Sequence, residues 1–557
     1  MIQSGLDLEE DQTIRSKVCV VGAGPAGVTL SLELARKGLD VTLLESGGLN
    51  NHDLQDGDLD GQLVNARHHA SLNECRGRQL GGTSAQWAGR CVPLDPIDFE
   101  KRDYVEDSGW PISFDELARF YPRANHYCHA GAYAYDVSQA LPGAAPSIVP
   151  GFPTDVVNSA RLERWSLPTH FGKHYQEELE TNEHIRVLLH SACIEIKLNE
   201  QGVVSGIVAA TAPGRHFQVE ASVFVIAGGG LESTRLLLAS KGNGSDGIGN
   251  TSGHLGRHYM GHIFGSVAEI QFSGNPLETI YGFERDREGV YCRRRFWIDP
   301  VVQRQKKLLN TAFWLTNPPA ADPGHHNGVL SAANLALQVP GLRDRLAHTA
   351  IQKAFLGRTG NRSLLPHLRN ILLDLPSVAI QIPQFLFQRY VPERRIPALF
   401  LYNRLNRYSL FYHAEQPPHG YNQVSLGTER DRFGVPRLRI DYRYDTREID
   451  SVCRAHELIA EQLHEHQLGT LYYRHENLTR HVLDQACDGF HQLGTTRMSA
   501  HERNGVVDIN CRVHGVSNLY VCSSSVFPTS GQANPTLSIV ALAVRLAEHI
   551  EHGLSRI

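Results

Sequence analysis

The stretch "KVCVVGAGPAGVTLSLELARKGLDVTLLESGG", residues 17–48, constrains the fold more than any other part of the chain. Val18 to Val21 form a short apolar run suited to a buried parallel strand, and Gly22, Gly24 and Gly27 supply a GxGxxG turn into a helix. The three glycines have separate tasks. The first permits the tight turn, the second lets backbone approach a pyrophosphate, and the third lets helix pack on strand. Pro25 and Ala26 open that helix, whose free N–H groups and positive dipole end face the phosphates. Arg36, Lys37 and Gly38 close it. A second strand, Val41 to Leu44, runs into Glu45 and Ser46, with the Glu45 carboxylate placed to accept hydrogen bonds from ribose hydroxyls. Strand, turn, helix, strand and acid in this order predict a Rossmann-type α/β domain. They do not by themselves choose between a nicotinamide and a flavin.

At 557 residues the chain exceeds the roughly 100–200 residues of one domain, so two connected domains are expected. Hydrophobic residues at 41% and charged residues at 20% place it among ordinary globular proteins rather than disordered or membrane-spanning ones. A net charge of -5 argues against nucleic acid as a partner, because phosphate binding needs a dominant basic surface. The acidic start "MIQSGLDLEEDQTIRSK" lacks the basic and apolar regions of a secretory signal. The ten cysteines contain no CxxC pair and no close zinc-type spacing, so no metal ligands are assigned and reduced thiols in a cytoplasm are the expectation. The longest apolar run, "LSIVALAV", stops at Arg545, short of a spanning helix.

Further along, "RGRQLGGTSAQWAGRCVPLDPIDFE" (76–100), "SGWPISFDELARFY" (from Ser108), "SVFVIAGGGLESTRLLL" (from Ser222), "LGRHYMGH" (from Leu255), "EQPPHGYNQVSLGTERDRFGVPRLRIDY" (from Glu415), "HQLGTTRM" (491–498) and "GVVDINCRVHGVSNLYVCSSSVFPTSGQANPTLSIVALAVRLAEHI" (from Gly505) together resemble the glucose-methanol-choline (GMC) oxidoreductases. The C-terminal pattern is most similar to pyranose 2-oxidase and the gluconate and fructose dehydrogenases. The resemblance implies FAD. It places Arg78, Gly81, Gly82, Thr83, Ser84, Gln86, Trp87 and Ala88 beside the pyrophosphate and isoalloxazine. It adds Ala192, Ala227, Gly228, Ser523, Ser524, Asn534, Pro535 and Thr536 to the cofactor contacts. It also makes His491 and Asn534 the pair that faces substrate across the flavin. Two departures stand out. Pyranose 2-oxidase attaches its flavin through a histidine in a Ser-Thr-His-Trp segment, whereas this chain reads Ser84-Ala85-Gln86-Trp87, so FAD is expected to be non-covalent. Many family members also carry an aspartate where this chain has Ser523.

The chemistry suits alcohol oxidation. For hydride to leave a carbinol carbon, the hydroxyl proton must depart to a base, and histidine, with an ordinary pKa near about 6.5, fits that task. An asparagine amide can hold the same oxygen without competing for the proton. "NPTLSIVALAVRLAEHI" reads as a helix with Asn534 near its N-cap and Pro535 at its first position, so capping alone also accounts for Asn534. The positive end of that helix would face the charge of the reduced flavin.

The expected architecture is therefore a discontinuous FAD domain (1–105, 180–265 and 485–557) with an α+β substrate domain (106–179 and 266–484). A hairpin is expected around Gly202. The expected activity is oxidation of a CH–OH group of a sugar, glycoside or polyol, with oxygen, a quinone or a partner protein as electron acceptor. The competing readings are a nicotinamide dehydrogenase, a membrane-surface dehydrogenase of a lipophilic alcohol, and a non-redox flavin-binding lyase or subunit. One segment departs from the acidic balance. Residues 351–410 hold nine Lys or Arg against Asp374 and Glu393, a net +7, interleaved with apolar runs broken by proline. Solvated substrate-domain helices are one reading of this segment, and a peripheral membrane or subunit contact is the other.

Overall fold

The computed structural model describes residues 1–50, 57–167, 169–241, 246–339 and 364–555. Two large sheets organise it. The first has eight strands, and its centre is the long strand Thr13–Val21, in which Val18, Cys19 and Val20 are fully buried. This strand begins before the apolar run at Val18. Its first half alternates exposed and buried residues and pairs in parallel with Gln218–Ala221 of the strand Arg215–Ile226. Val41–Leu44 and Ile185–Leu189 continue the parallel order on one side. On the other side Arg215–Ile226 forks. Its start pairs antiparallel with Val204–Ala212, and its end pairs in parallel with Leu519–Val521. Ala192–Leu198 and Val204–Ala212 form the expected hairpin around Gly202, which takes the positive φ of 73° that the turn requires.

Two helices lie against this sheet. Helix α1, Pro25–Ala35, starts at the GxGxxG turn and is buried along almost its whole length. A later helix with the motif "GGLESTRLLLA", α2, spans Gly229–Ala239. Three more helices belong to the other half of the molecule: α3 (Gly328–Leu337), α4 (Leu364–Leu373) and α5 (Leu375–Tyr390). The C-terminal helix α6, Thr536–Leu554, packs on α1. Its buried Val540, Ala541, Val544 and Ala547 explain the apolar run "LSIVALAV": it fills the core under the first sheet. Chain ends some 500 residues apart thus share one hydrophobic cluster.

The second sheet is antiparallel and also has eight strands. Its ordered path is Gly469–Tyr473, His262–Phe272, Arg407–Glu415, Thr311–Thr316, Tyr291–Ile298, Val157–Trp165 and Arg90–Cys91. The strand His262–Phe272 spans the expected boundary at 265, and the two-residue strand Arg90–Cys91 reaches into this sheet from the N-terminal segment. These two crossings carry His262 and Arg90 to the seam between the sheets.

Among the described residues, no single helix is long and apolar enough to cross a membrane. Helices α4 and α5 meet at a bend of 91°. Residues 351–363 of the basic segment lie outside the described residues.

Candidate active site

A cleft with about 1520 Å³ of empty volume runs from the start of α1 to the start of α6. Its floor is the GxGxxG turn. Gly22 has φ 104°, and a Cβ there would meet the Ala227 carbonyl oxygen at 2.6 Å. At Gly24 a Cβ would meet nothing within 4 Å, so this backbone faces open cleft. Gly27 does not line the cleft. A Cβ there would lie 1.9 Å from the Gly22 oxygen, so it is the contact that seats α1 on its strand. The open face at Gly24 and the helix end behind it are what a pyrophosphate requires.

Of the other expected cofactor residues, Pro25, Ala26, Glu45, Ser46 and Arg78 line this cleft, as do Gly82, Thr83, Ala192, Ala227 and Gly228. Ser523, Ser524, Pro535 and Thr536 close its far end. The Glu45 carboxylate accepts from the backbone N–H of Ala23 at 3.0 Å and of Gly47 at 2.9 Å. Burial raises its pKa despite those bonds. Gly81, Ser84, Gln86, Trp87 and Ala88 do not line the cleft. Ser84 instead donates to Gly81 O at 2.6 Å and accepts from Phe171 N at 3.0 Å, and Trp87 donates to Thr169 O at 2.9 Å. These bonds shape the loop that carries Gly82 and Thr83.

Sequence reasoning missed a charged cluster on the cleft wall. Glu232 on α2 binds Arg76, Arg78 and Arg235. Burial opposes its charge, but the three guanidiniums prevail and hold the carboxyl at about 2. Nothing local in the sequence marks this group, because its members come from two distant segments.

The expected pair, His491 and Asn534, meets at the seam between the sheets. His491 sits in a loop that is pinned on both sides by the bridges His69–Asp488 and Met260–Leu493. Its Nδ1 lies 3.0 Å from Asp488 Oδ2, and its Nε2 lies 3.0 Å from Asn534 Nδ2. Asp488 is fully buried and also accepts from the backbone N–H of Gly489, Phe490, His491 and His262. Burial pushes its pKa up, yet His491 and these donors outweigh burial and leave it at about 2.

The carboxylate can only accept, so Nδ1 of His491 carries a proton. On the far side Arg90 donates to Asn534 Oδ1. A guanidinium can only donate, which fixes the amide with its NH₂ toward His491. Nε2 of His491 is therefore the acceptor, a lone pair poised to take a proton. Asn534 is not the helix cap expected from its neighbour Pro535. The N-cap of α6 is Pro535, with no side-chain cap bond, because the Asn534 side chain is engaged by Arg90 and His491.

Arg90 is held in turn by Glu163, which accepts at 2.9 Å from Nε and at 2.5 Å from Nη2. Glu163 also binds Arg293. Burial raises its pKa, but the two arginines lower it further, so it stays charged.

Two more imidazoles face the pair. His262 and His413, from neighbouring strands, lie tilted against each other at 4.4 Å between ring centres with 31° between planes, and His262 meets His491 edge-on at 4.6 Å. Burial holds both well below the ordinary histidine pKa. Ligand nitrogens of the three rings lie within 4.8 Å of one another. A metal centre is nevertheless not what this geometry builds. Both nitrogens of His491 are hydrogen-bonded within the protein and His413 Nδ1 bonds Gln532 O at 2.7 Å, which leaves His262 as the one ring of the three with both nitrogens unpartnered. The cluster places two neutral imidazoles beside His491, one of them, His262, with both nitrogens buried and unpartnered.

Fold and cleft define an oxidoreductase that works with a dinucleotide cofactor. The chain belongs to the FAD dependent oxidoreductases, whose family model matches residues 17–347, and a second model, GMC oxidoreductase, matches residues 418–543. The resemblance read from the motifs is thereby borne out. Relatives align along the full length. A 2-methyl-1,2-propanediol dehydrogenase of Mycolicibacterium austroafricanum is 22% identical over 98% of this chain and 96% of its own. A paromamine 6'-oxidase of Streptomyces fradiae is 22% identical over 99% and 94%. The structure of a formate oxidase shares the fold with a TM-score of 0.55 at 16% identity, covering 99% of this chain and 100% of that one.

Proposed function

We propose that this protein oxidises a CH–OH group of a sugar, glycoside or polyol, with non-covalent FAD as hydride acceptor and His491 as base. The observation that carries the reading is the hydrogen-bond chain Arg90–Asn534–His491–Asp488, which leaves one imidazole lone pair free of its proton and aimed into the seam. FAD, when bound, supplies the acceptor for the hydride. The residues that would hold it are the backbone at Gly24, Glu45, Arg78, Ser523, and the N-terminus of α6 at Pro535 and Thr536.

Around the reacting carbon this chain's own groups do the rest. The substrate hydroxyl would replace the direct 3.0 Å hydrogen bond between Asn534 Nδ2 and His491 Nε2, the two side chains parting so that it donates to the imidazole and accepts from the amide. His491 takes the proton, and the Asp488 carboxylate steadies the imidazolium that results. His413, Gln532 and Arg90 offer a polar surround that favours a polyhydroxylated substrate over a hydrocarbon, and the propanediol and aminoglycoside relatives support that class.

Support for non-covalent FAD comes from Gln86, which has no nucleophilic atom. It also comes from Cys75 and Cys193 on the cleft wall, which burial keeps protonated with pKa values of about 12. Acid precipitation should therefore release yellow colour into the supernatant, and a coloured pellet would refute this. Oxygen, a quinone or a partner protein takes the electrons, in a cytoplasmic setting. A panel of sugars, glycosides and polyols mixed anaerobically with the holoenzyme tests the main reading. Bleaching by at least one member is expected, and His491→Ala should slow that bleaching on the order of 100-fold or more with FAD still bound. Undiminished bleaching in this variant would overturn the assignment.

A further inference from the structure

Helix α4 is inside out. Only His367 and Asn370 are buried on it, and both are tied to polar partners. His367 bonds Asn334 and Ser331, each at 3.1 Å, and Asn370 donates to the Pro323 oxygen at 2.8 Å and to Ser331 at 3.2 Å. Its leucines point away from the protein, with Leu365 77%, Leu372 73% and Leu373 74% exposed. A helix on a water-facing surface has the opposite arrangement.

Helix α5 continues the pattern. None of its sixteen residues is buried, and Ile380 (66%), Leu386 (39%), Phe387 (58%) and Tyr390 (49%) are open. Only its Val378 and Ile382 rest on the small cluster of Ala320, Val329, Leu330 and Leu401, which keeps the pair lying along the body. Among the exposed residues of both helices only Arg369, Gln384 and Tyr390 carry a polar group, while Ser377, Gln381, Gln388 and Arg389 are half-exposed.

The charge around this face is basic. Arg369 and Arg395 are exposed, Arg389 and Arg394 are half-exposed and donate to the Ile396 and His129 oxygens, and against them stand Glu393 and Asp374, the latter engaged by Gly328 N at 3.0 Å. The pair also lies between the two family-model matches, so the shared catalytic fold does not require an apolar face here.

We propose that α4 and α5 form a docking surface for an anionic lipid bilayer, lying in the interface plane with their leucines and Phe387 among acyl chains and the arginines at the headgroups. A proline-bearing, right-angled pair fixed to the protein by a polar seam suits lying on a membrane rather than crossing it. An apolar face almost without directional hydrogen-bonding groups, rimmed by arginine and a tyrosine, suits lipid better than a protein partner. The inference is independent of the catalytic reading, since none of these residues belongs to the cleft or the base.

The test is co-sedimentation of the holoenzyme with vesicles of phosphatidylcholine alone or mixed with phosphatidylglycerol, at low and high salt. Preference for the anionic vesicles at low salt, weakened by salt, is expected. The triple variant Leu365→Glu, Leu372→Glu, Phe387→Glu should reduce partitioning on the order of 100-fold while FAD content and flavin reduction by a soluble alcohol stay unchanged. Absence of binding to anionic vesicles at low salt would overturn the proposal, as would equal binding by the triple variant. A wild-type dimer that the triple variant converts to monomer, without vesicle binding, would assign the face to a second copy instead.

Discussion

Asp488→Asn tests the catalytic geometry most sharply, because it changes one atom and preserves size. In the native site Oδ1 accepts from Gly489 N at 2.7 Å, Phe490 N at 2.9 Å and His491 N at 3.3 Å, while Oδ2 accepts from His262 N at 2.7 Å and His491 Nδ1 at 3.0 Å. An amide keeps one acceptor edge, and the three donors on the first edge hold the oxygen there. The new NH₂ then opposes the His262 N–H and faces His491 Nδ1, which must become an acceptor, so the ring's proton moves to Nε2. That is the atom that has to receive the substrate proton, and it would now also clash with the Asn534 amide. Loss of a charge-assisted hydrogen bond costs about 1.5–3 kcal/mol, or roughly 10- to 150-fold, and full loss of a general base costs about 10²–10⁴. Flavin reduction in the variant should therefore slow on the order of 100-fold or more, measured by anaerobic rapid mixing at saturating substrate with FAD content as a control. Because Asp488 is held at about 2, it is a carboxylate at every practical assay pH and contributes no limb of its own to the wild-type profile. The double variant with His491→Ala should be no slower than His491→Ala alone, since both act on one proton transfer. Reduction within about twofold of wild type, or multiplicative losses in the double variant, would show that Asp488 does not set the tautomer of His491.

Further outcomes follow from the same geometry. Gly24→Ala should fold but lose FAD, because its Cβ enters open cleft, whereas Gly27→Ala should fail to fold because its Cβ meets the Gly22 oxygen at 1.9 Å; flavin content and thermal unfolding of the two proteins separate these results. Arg90→Met should free the Asn534 amide to flip and slow flavin reduction roughly tenfold or more, and a rate equal to wild type would remove Arg90 from the site. Acid unfolding should also be steep. Glu232 and Asp488 have folded pKa values of about 2, below their ordinary 4.5 and 3.8, so their contribution is complete above about 4.5 and drains away as pH falls toward 2. A denaturation midpoint that stays level between those pH values would contradict this.

Much of the cofactor half was legible because its signals are local. Strand, glycine turn, helix and acid follow one another within residues 17–48, and each is tied to its neighbour by backbone geometry. The strand start at Thr13 escaped notice because its first half is amphipathic and its pairing partner lies about 200 residues away. Motif resemblance named His491 and Asn534, which the fold brings into hydrogen-bond contact, yet it did not name the groups that hold them. Only Asp488, three residues before His491, offered a local hint. Arg90, Glu163, His262 and His413 arrive on separate strands of the second sheet, and no spacing along the chain encodes that meeting. Asn534 shows the limit from the other side. Asn-Pro before a helix reads as a cap, but the strength of a guanidinium donor outcompetes the helix N–H groups for its carbonyl.

The neutral imidazoles explain why the site tolerates three histidines at such short range. Were His262 or His413 charged beside His491, the base would be disfavoured from accepting a proton, since like charges a few ångströms apart repel strongly in a buried site. Burial depresses the pKa of both, and the one carboxylate in contact, Asp488, serves His491 rather than them. Its Oδ2 lies 3.0 Å from His491 Nδ1 but 3.8 Å from His262 Nδ1. In the proposed role of His491 as base, the positive charge created when it takes a proton has one counter-charge already in place and no competing cation among the imidazoles. The nearest guanidinium, Arg90, shares Glu163 with Arg293, and after burial its charge also helps to keep His262 and His413 neutral. The two outer histidines contribute polarity without charge, which lets a substrate rich in hydroxyls be hydrogen-bonded close to the base without altering its task.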